Sequence, residues 1–334
     1  MADPLCSVVI VAWNRRRELK PALDSIFRQT IAHRIEVIVV DNGSEDDTLE
    51  FLQHSYADAI QDERLRVYAF ERNEGASHGR NAGIRLARAK HVCFLDSDAE
   101  IISDNAIERC LERLAQGLER AVGGMIWFDR ERTRGFCFGG YITHDGHVDC
   151  LRTQTERENP MFLSTCFSVW EKTLLEELRG FDPFYFWGIE DVDFSVRAYF
   201  NAQRGRRRAA TQYHVLDDIH VLHEMASTGR KYEAGNFEKT FMDLERQRLY
   251  LVLSYGGLFE FFRNLLRGPF RVKRFSEVGY RMPFQFRHQF LSAWWFPLIR
   301  LIKLPVDWRN MRQNHLARSP HPRLIAGKNT DNSV

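Results

Sequence analysis

Short apolar runs alternate with amphipathic segments over the first hundred residues. Continuous aliphatic runs predict buried strands, and apolar residues at helical spacing predict helices between them. The predicted strands are 5–13, 35–40, 65–70 and 91–95, and the predicted helices are 17–28, 46–53 and 77–89. This alternation predicts a parallel sheet with helices on both faces. Such sheets bind ligands at the carboxyl ends of their strands.

The pattern becomes less regular after the fourth predicted strand. We expect strands near 121–128, 136–142 and 162–170, and a helix from about Glu190 to Asn201. Further on, apolar spacing predicts an amphipathic helix over 237–254. The chain is therefore predicted to comprise an α/β domain over 1–235, a helical, basic and aromatic region over 236–320 and a flexible tail over 321–334.

Composition excludes several classes of protein. The 334 residues are 44% hydrophobic, which allows a large core, and the formal net charge of +2 gives no global field for nucleic acid. The six cysteines form no CxxC pair, so buried reduced thiols are favoured over disulfides or a zinc site. We find neither a signal-peptide pattern nor the ~20 apolar residues of a membrane-spanning helix. We therefore expect a cytoplasmic protein.

Two carboxylates follow the apolar strand 91–95. Asp96 and Asp98 are two residues apart, a spacing that lets both point to one side of a strand end. Carboxylate oxygens suit Mg²⁺ or Mn²⁺, which in turn bind a diphosphate. An isolated D-x-D is more often a solvated turn, but its place after a strand favours a metal site.

Other strand ends also carry polar residues. Asp41 ends strand 35–40, where it can cap the next helix or accept a hydrogen bond from a nucleotide base. Asn73 and Arg80 lie in a segment whose glycines permit close backbone approach, and the arginine offers donors to phosphate. An ordinary loop followed by a helix with an exposed arginine fits this segment as well.

Three acids lie at a predicted helix N-terminus, at positions 190, 191 and 193. Acids in a first helical turn interact favourably with the helix dipole, and the same position keeps a carboxylate ionised and able to accept a proton. Trp187 precedes them and can stack on a sugar or pack in the core. Among the histidines near residue 220, we expect at most one metal ligand.

Together these segments resemble the family 2 glycosyltransferases, which are inverting enzymes with a GT-A fold. The resemblance covers about residues 5–225. It rests on SVVIVAWN at 7–14, IEVIVVDNGSEDD at 35–47, the NxG and RNxG elements at 73–83, the strand ending in D-x-D at 93–98, the Glu190-Asp191 pair and His223-Glu224. It implies a mostly parallel nucleotide-binding sheet flanked by helices, with a helical C-terminal appendage.

The resemblance also implies roles for individual residues. Asp191 would be the catalytic base, and Glu190 would position the acceptor. The implied donor-binding residues are Asn14, Asp41, Asn73, Arg80, Asp96 and Asp98, the implied ligands of Mn²⁺ or Mg²⁺ are Asp98, Asp96 and His223, and the acceptor-binding residues are Trp187 and Gly188. The segment before His223 is longer than expected for the family, so His220 remains an alternative ligand.

Features of the C-terminal third narrow the expected class. The QxxRW motif of processive synthases is absent, which predicts a non-processive, rhamnosyltransferase-like enzyme of bacterial glycan or lipid-linked saccharide assembly. Basic and aromatic residues are interspersed over residues 256–305. This mixture predicts peripheral association with the inner face of the cell membrane. The alternative is that these aromatics pack on the catalytic domain or on a second subunit.

Two other classes fit parts of the sequence. One is a non-catalytic, nucleotide-sugar-binding assembly subunit, against which the acids at 96, 98 and 191 argue. The other is a sugar-phosphate nucleotidyltransferase, which typically has a glycine-rich loop after its first strand. Residues 12–17 contain no glycine.

Overall fold

The computed structural model describes residues 3–142, 148–152, 160–185, 188–204, 213–223, 247, 250–252, 255 and 313–326. The chain divides into two units. The first comprises 1–141, 149–226 and 314–334, and the second comprises 142–148 and 227–313. The first unit, called the sheet unit below, contains the elements that position the candidate site.

Among the described residues, ten strands form one large sheet and two form a small one. The strands are β1 Cys6–Ala12, β2 Ile35–Asp41, β3 Leu65–Ala69, β4 His91–Leu95, β5 Ala99–Ile101, β6 Ala121–Trp127, β7 Gly135–Cys137, β8 Gly140–Ile142, β9 Val148–Cys150, β10 Phe167–Glu171, β11 Tyr213–His223 and β12 Arg323–Ala326. The order in the large sheet is β12-β3-β2-β1-β4-β10-β6-β11-β5, with β7 beside β6. Neighbours among β1 to β4 are parallel.

Helices cover this sheet. They are α1 Leu19–Phe27, α2 Thr48–Ser55, α3 Ala57–Gln61, α4 Ala76–Leu86, α5 Ala106–Leu114, α6 Lys172–Glu177, α7 Glu190–Arg204 and α8 His315–Arg318. Two clusters of buried apolar residues form the core. The predicted α/β fold with a mostly parallel central sheet is therefore confirmed, including the helix that begins at Glu190.

Helix α4 packs unusually close to β1. A Cβ atom placed on Gly79 would lie 2.6 Å from Cγ1 of Val11, and one on Gly83 would overlap the side chain of Val9. Glycine is therefore required at these positions for helix–strand packing. The glycines of this segment predicted a close backbone approach. The structure shows that this approach is between α4 and β1.

Several predicted elements differ from the observed ones. The strand expected over 136–142 is two strands, β7 and β8, because Gly139 between them has a φ of +84°. The helices α3, α5 and α6 were not predicted. The five residues of α3 and the six of α6 are too few to show a clear period, whereas Ile107, Cys110 and Leu114 of α5 do recur at helical spacing.

The prediction of a flexible tail is wrong for residues 323–326. These residues form β12, which pairs antiparallel with β3, with Leu324 opposite Tyr68. Without this pairing β3 would expose a row of unpaired backbone groups. A four-residue strand whose partner lies far away along the chain leaves no periodic signal in the sequence.

The predicted C-terminal helical region falls largely outside the described residues. Within the predicted helix 237–254, residues 247 and 250–252 are described, and they are helical. The region 256–305 is not described, so its membrane role and the domain boundaries stay predictions. Across the described part of the chain, every helix is too short or too polar to cross a membrane.

Candidate active site

Three parallel strands bring their polar ends to one edge of the sheet. Ala12 at the end of β1 lies opposite Asp41 at the end of β2, and β4 runs parallel to β1 on its other side. Asp96 follows β4 directly. This shared edge is where the predicted nucleotide and metal residues meet, as the strand order requires.

An imidazole and two carboxylates converge at this edge. His223 is the last residue of β11 and pairs with Ala99, which follows Asp98 in the chain. Its Nε2 lies 3.3 Å from Oδ1 of Asp98 and 3.9 Å from Oδ2 of Asp96. Burial lowers the pKa of His223, but the hydrogen bond and charge of Asp98 outweigh it and raise that pKa above its usual range. The three side chains therefore form one cluster in which each charge affects the ionisation of the others.

The structure brings His223, not His220, to these carboxylates. The indole Nε1 of Trp127 donates to Nδ1 of His220 at 3.1 Å. Nδ1 of His220 therefore accepts this hydrogen bond, and burial lowers the pKa of His220, which favours the neutral ring.

Arg15 was not among the predicted site residues. Its Nη2 lies 3.6 Å from Oδ2 of Asp98, and its Nη1 is buried without a partner among the described residues. Asn14 before it adopts a φ of +54° and places this arginine at the sheet edge. The run of three arginines directly after a strand end was the sequence signal for this residue.

Arg80 joins two carboxylates from distant parts of the chain. Its Nη2 donates to Oδ1 of Asp96 at 3.1 Å, and its Nη1 donates to Oε1 of Glu190 at 2.5 Å. The side chain is only 9% exposed. Arg80 thus links the loop after β4 to the first turn of α7, and contact with the donor stays a prediction.

Asp191 lies beside Glu190 in the first turn of α7. Its Oδ2 accepts from the backbone N–H of Thr165 at 3.2 Å, and its Oδ1 accepts from that of Val192 at 2.8 Å. Burial and the neighbouring Glu190 raise the pKa of Asp191 to about 7, although the charge of Arg80 opposes this. A carboxylate that titrates near neutrality is suited to accept a proton from a hydroxyl.

Asp41 is a buried carboxylate at the end of β2. It is fully buried, and its Oδ2 accepts from the backbone N–H of Ser44 at 2.9 Å. Its Oδ1 has no partner among the described residues. Burial raises the pKa of Asp41 above its usual range. A buried carboxylate oxygen of this kind needs a hydrogen-bond donor, which a bound ligand can supply.

The two predicted asparagines organise the loops around this edge. Oδ1 of Asn14 accepts from the backbone N–H of Glu45, and Oδ1 of Asn73 accepts from Nδ2 of Asn42. Direct donor contact by either asparagine stays a prediction.

On the acceptor side, Trp187 lies outside the described residues. Gly188 is exposed and has a φ of +122°, a conformation that favours glycine. It leads directly into α7.

A sequence model of glycosyl transferase family 2 matches residues 7–178, just over half of the chain. The chain belongs to glycosyl transferase family 2. The family match spans Asp41, Arg80, Asp96 and Asp98, and it ends before Asp191 and His223. The roles of individual residues, and the rhamnosyltransferase-like subtype, stay predictions.

A curated glucosyltransferase is similar to about half of this chain. The GalNAc(5)-diNAcBac-PP-undecaprenol beta-1,3-glucosyltransferase of Campylobacter jejuni is 28% identical over 184 residues. This alignment covers 54% of the present chain and 56% of the relative. The chain thus spans little more than half of that protein's length.

Two solved structures share the fold. GalNAc-T7 with UDP, GalNAc and Mn²⁺ aligns with a TM-score of 0.53 at 17% identity, covering 66% of this chain and 44% of that one. The mannosyltransferase PcManGT from Pyrobaculum calidifontis, in complex with GDP-Man and Mn²⁺, aligns at 0.52 and 16% identity, covering 93% and 74%. Identities this low establish the GT-A fold alone.

Proposed function

We propose that this family 2 member is an inverting, metal-dependent glycosyltransferase, which moves a sugar from a nucleoside-diphosphate sugar to an acceptor hydroxyl. One observation carries the proposal. A carboxylate with a pKa of about 7, Asp191, is joined through Glu190 and Arg80 to the Asp96–Asp98–His223 cluster at the ligand-binding edge of the sheet. A proton acceptor and a diphosphate-binding cluster are thereby held in one network.

The nucleobase of the donor would lie at Asp41. The unpartnered Oδ1 of this buried carboxylate can accept from an N–H of a nucleobase, which completes its hydrogen bonding. The loops held by Asn14 and Asn73 border the same position. This arrangement supports the nucleotide end of the predicted donor site.

A divalent ion fits the next part of the edge. Nε2 of His223 lies 3.3 Å from Oδ1 of Asp98 and 3.9 Å from Oδ2 of Asp96. Two carboxylates and an imidazole are a donor set that suits Mn²⁺ or Mg²⁺. Bound there, the ion would neutralise charge on the diphosphate. Arg15 pairs with the same carboxylate, Asp98, and its free Nη1 offers a further donor to a phosphate oxygen.

Transfer would proceed in a single displacement. The acceptor oxygen attacks the anomeric carbon as the bond from that carbon to the diphosphate oxygen breaks. Asp191 takes the hydroxyl proton, and the nucleoside diphosphate leaves with the bonding electron pair. Attack from the face opposite the leaving group inverts the anomeric centre. Glu190 positions the acceptor beside Asp191.

The proposed acceptor class rests on a curated relative and on the composition of the C-terminal region. The relative named for an undecaprenol-linked substrate supports a lipid-linked acceptor in bacterial saccharide assembly. The basic and aromatic residues over 256–305 would hold the protein at the inner face of the membrane. Replacing the arginines and lysines of 256–305 by glutamine should release the protein from membrane pellets. This change tests the idea better than truncation does, since truncation also removes β12.

The experiment that tests the proposal is a thermal shift with UDP, dTDP and GDP, each with and without Mn²⁺. A nucleotide at 100 times its dissociation constant should stabilise the fold by about 2.7 kcal/mol. We expect a metal-dependent shift for one nucleotide that D98A abolishes. The matched control D218A removes an exposed carboxylate of β11 that pairs with Arg109, and it should retain the shift. Absence of any shift in the wild type would overturn the proposal.

A further inference from the structure

Cys166 is a buried thiol beside the site, and the proposed transfer does not use it. It precedes β10, whose Phe167 lies opposite Leu95 of β4. The next pair in this antiparallel register is Cys166 and Asp96, and the N–H of Asp96 donates to the carbonyl of Cys166 at 3.1 Å. The register therefore places the thiol against the first carboxylate of the D-x-D motif.

The thiol is one of three potential metal ligands that meet here. One ligand atom each of Asp96, Cys166 and His223 lies within 4.8 Å of the other two. The cysteine is 1% exposed, and the side chains of Asp96 and His223 are 31% and 13% exposed. The set is thus buried on the thiol side and open on the carboxylate side.

Two overlapping ligand sets share Asp96 and His223. With Asp98 the set is all oxygen and nitrogen, which suits Mn²⁺ or Mg²⁺. With Cys166 the set contains sulfur, nitrogen and oxygen, which suits Zn²⁺. Ligand atoms around a tetrahedral zinc ion lie about 3.3–3.8 Å apart, given bonds of about 2.0–2.3 Å. The three ligand atoms would therefore move closer together by up to about 1.5 Å when zinc binds.

We propose that Asp96, Cys166 and His223 form a zinc-binding site that excludes Mn²⁺ from the overlapping hard-ligand site. The thiol proton leaves to water as the sulfur–zinc bond forms, because the thiolate is the ligand. A fourth position stays open to water, as in other three-ligand zinc sites. The exclusion of Mn²⁺ rests on the metal site proposed above, whereas the zinc site itself does not.

Other cysteines provide an internal comparison. Cys110 is equally buried but lies in α5, where apolar residues surround it. It is the ordinary core thiol that the composition predicts. C110A and C166A remove the same group from sites of similar burial, so they separate metal ligation from packing.

The first test uses Co²⁺ as a spectroscopic substitute for Zn²⁺ on the full chain without nucleotide. We expect one equivalent of Co²⁺ to give a thiolate-to-cobalt charge-transfer absorption in the near ultraviolet, which Zn²⁺ then removes. C110A should keep this band and C166A should lose it. A wild type without the band, or a C166A variant that keeps it, would overturn the proposal.

Two further measurements keep the proposal testable if C166A does not fold. X-ray absorption on the zinc-loaded wild type should show one sulfur neighbour at about 2.3 Å, and a shell without sulfur would overturn the proposal. In equilibrium dialysis of the wild type with nucleotide and Mn²⁺, added Zn²⁺ should displace the bound Mn²⁺. C166A, where it folds, should require at least about tenfold more Zn²⁺. The cobalt measurement needs no nucleotide, so it stands or fails independently of the proposed glycosyltransferase activity.

Discussion

The guanidinium of Arg80 donates to Oε1 of Glu190 at 2.5 Å while its other amino group donates to Oδ1 of Asp96 at 3.1 Å. Arg80 lies on α4, 110 positions before Glu190 along the chain. The same guanidinium charge opposes the rise in the pKa of Asp191. We therefore propose that Arg80 is a positioning residue that connects the helix turn of the proposed base to a proposed metal ligand.

Replacing Arg80 should alter the pH dependence of transfer. A lysine keeps the charge but reaches one carboxylate, so we expect R80K to lower kcat by about 10- to 100-fold. The acid limb of the kcat profile should move to higher pH, because the shorter lysine side chain holds its charge farther from Asp191 and opposes protonation of that carboxylate less.

The matched control for R80K is R85K, on the same helix. Arg85 donates to the carbonyls of Leu316 and Pro320, away from the carboxylates, so R85K should leave the acid limb in place. Nucleotide affinity measured by calorimetry should change little in R80K. An affinity loss as large as the loss in kcat would instead assign Arg80 to direct donor contact.

Removing the proposed base should separate binding from chemistry. We expect D191N to lower kcat by about 10²- to 10⁴-fold while leaving the nucleotide-dependent thermal shift intact. Asp193 lies in the same helical turn and pairs with Arg197 at 2.9 Å, so D193N is the control and should retain transfer. Equal transfer by D191N and the wild type would contradict the assignment.

The raised pKa of Asp191 also predicts a pH-dependent gain in stability for D191N. In the folded state this pKa is about 7, against 3.8 for the unperturbed group. The ionised carboxylate therefore destabilises the fold as pH rises from about 4 to about 7, and below that window both states are protonated. Since one pKa unit corresponds to about 1.4 kcal/mol and the folded-state pKa is about three units higher, we expect a gain of up to about 4 kcal/mol at pH 8. Denaturant unfolding of both proteins at pH 4 and pH 8 checks this, and an equal difference at the two pH values would contradict it.

Asp41 should control nucleotide affinity. In D41N an amide NH₂ group replaces Oδ1, which removes a buried hydrogen-bond acceptor for the nucleobase. We therefore expect about 10- to 100-fold weaker nucleotide binding. D46N is a suitable control, because Asp46 accepts from the backbone N–H of Thr48 at the start of α2. Isothermal titration with the preferred nucleotide gives both values, and unchanged affinity in D41N would remove Asp41 from the donor site.

Asn81 should be important for the stability of the sheet unit. It is fully buried, its Oδ1 accepts from the N–H of Phe181, and its Nδ2 donates to the carbonyl of Phe181 and to Oγ of Ser319. N81A leaves both backbone groups of Phe181 without partners, so we expect a loss of about 2–4 kcal/mol. S319A removes one hydroxyl and should cost about 1 kcal/mol. Urea unfolding of the two variants measures the difference, and a loss in N81A no greater than in S319A would show that water replaces the amide.

Local sequence patterns determined the central part of the fold and the identity of most candidate site residues. The runs that become β1, β2 and β4 each contain at least four successive apolar positions, and Asp41 and Asp96 lie at the ends of β2 and β4. A parallel order of such strands places their carboxyl ends at one edge without further information. Asp41 and the D-x-D motif could therefore be predicted from segments of about ten residues.

Only the tertiary structure decided which distant residues lie beside Asp41 and the D-x-D motif. His223 rather than His220 reaches Asp98 because β11 pairs with β5, and Cys166 lies against Asp96 because of the β10–β4 register. The partners of Arg80 were equally hidden, since they come from two other segments. Hydrophobic periodicity reports which face of an element is buried, but it carries no information on the strand opposite. Register between distant strands is determined by packing across the whole sheet, and it is this register that assembles the site.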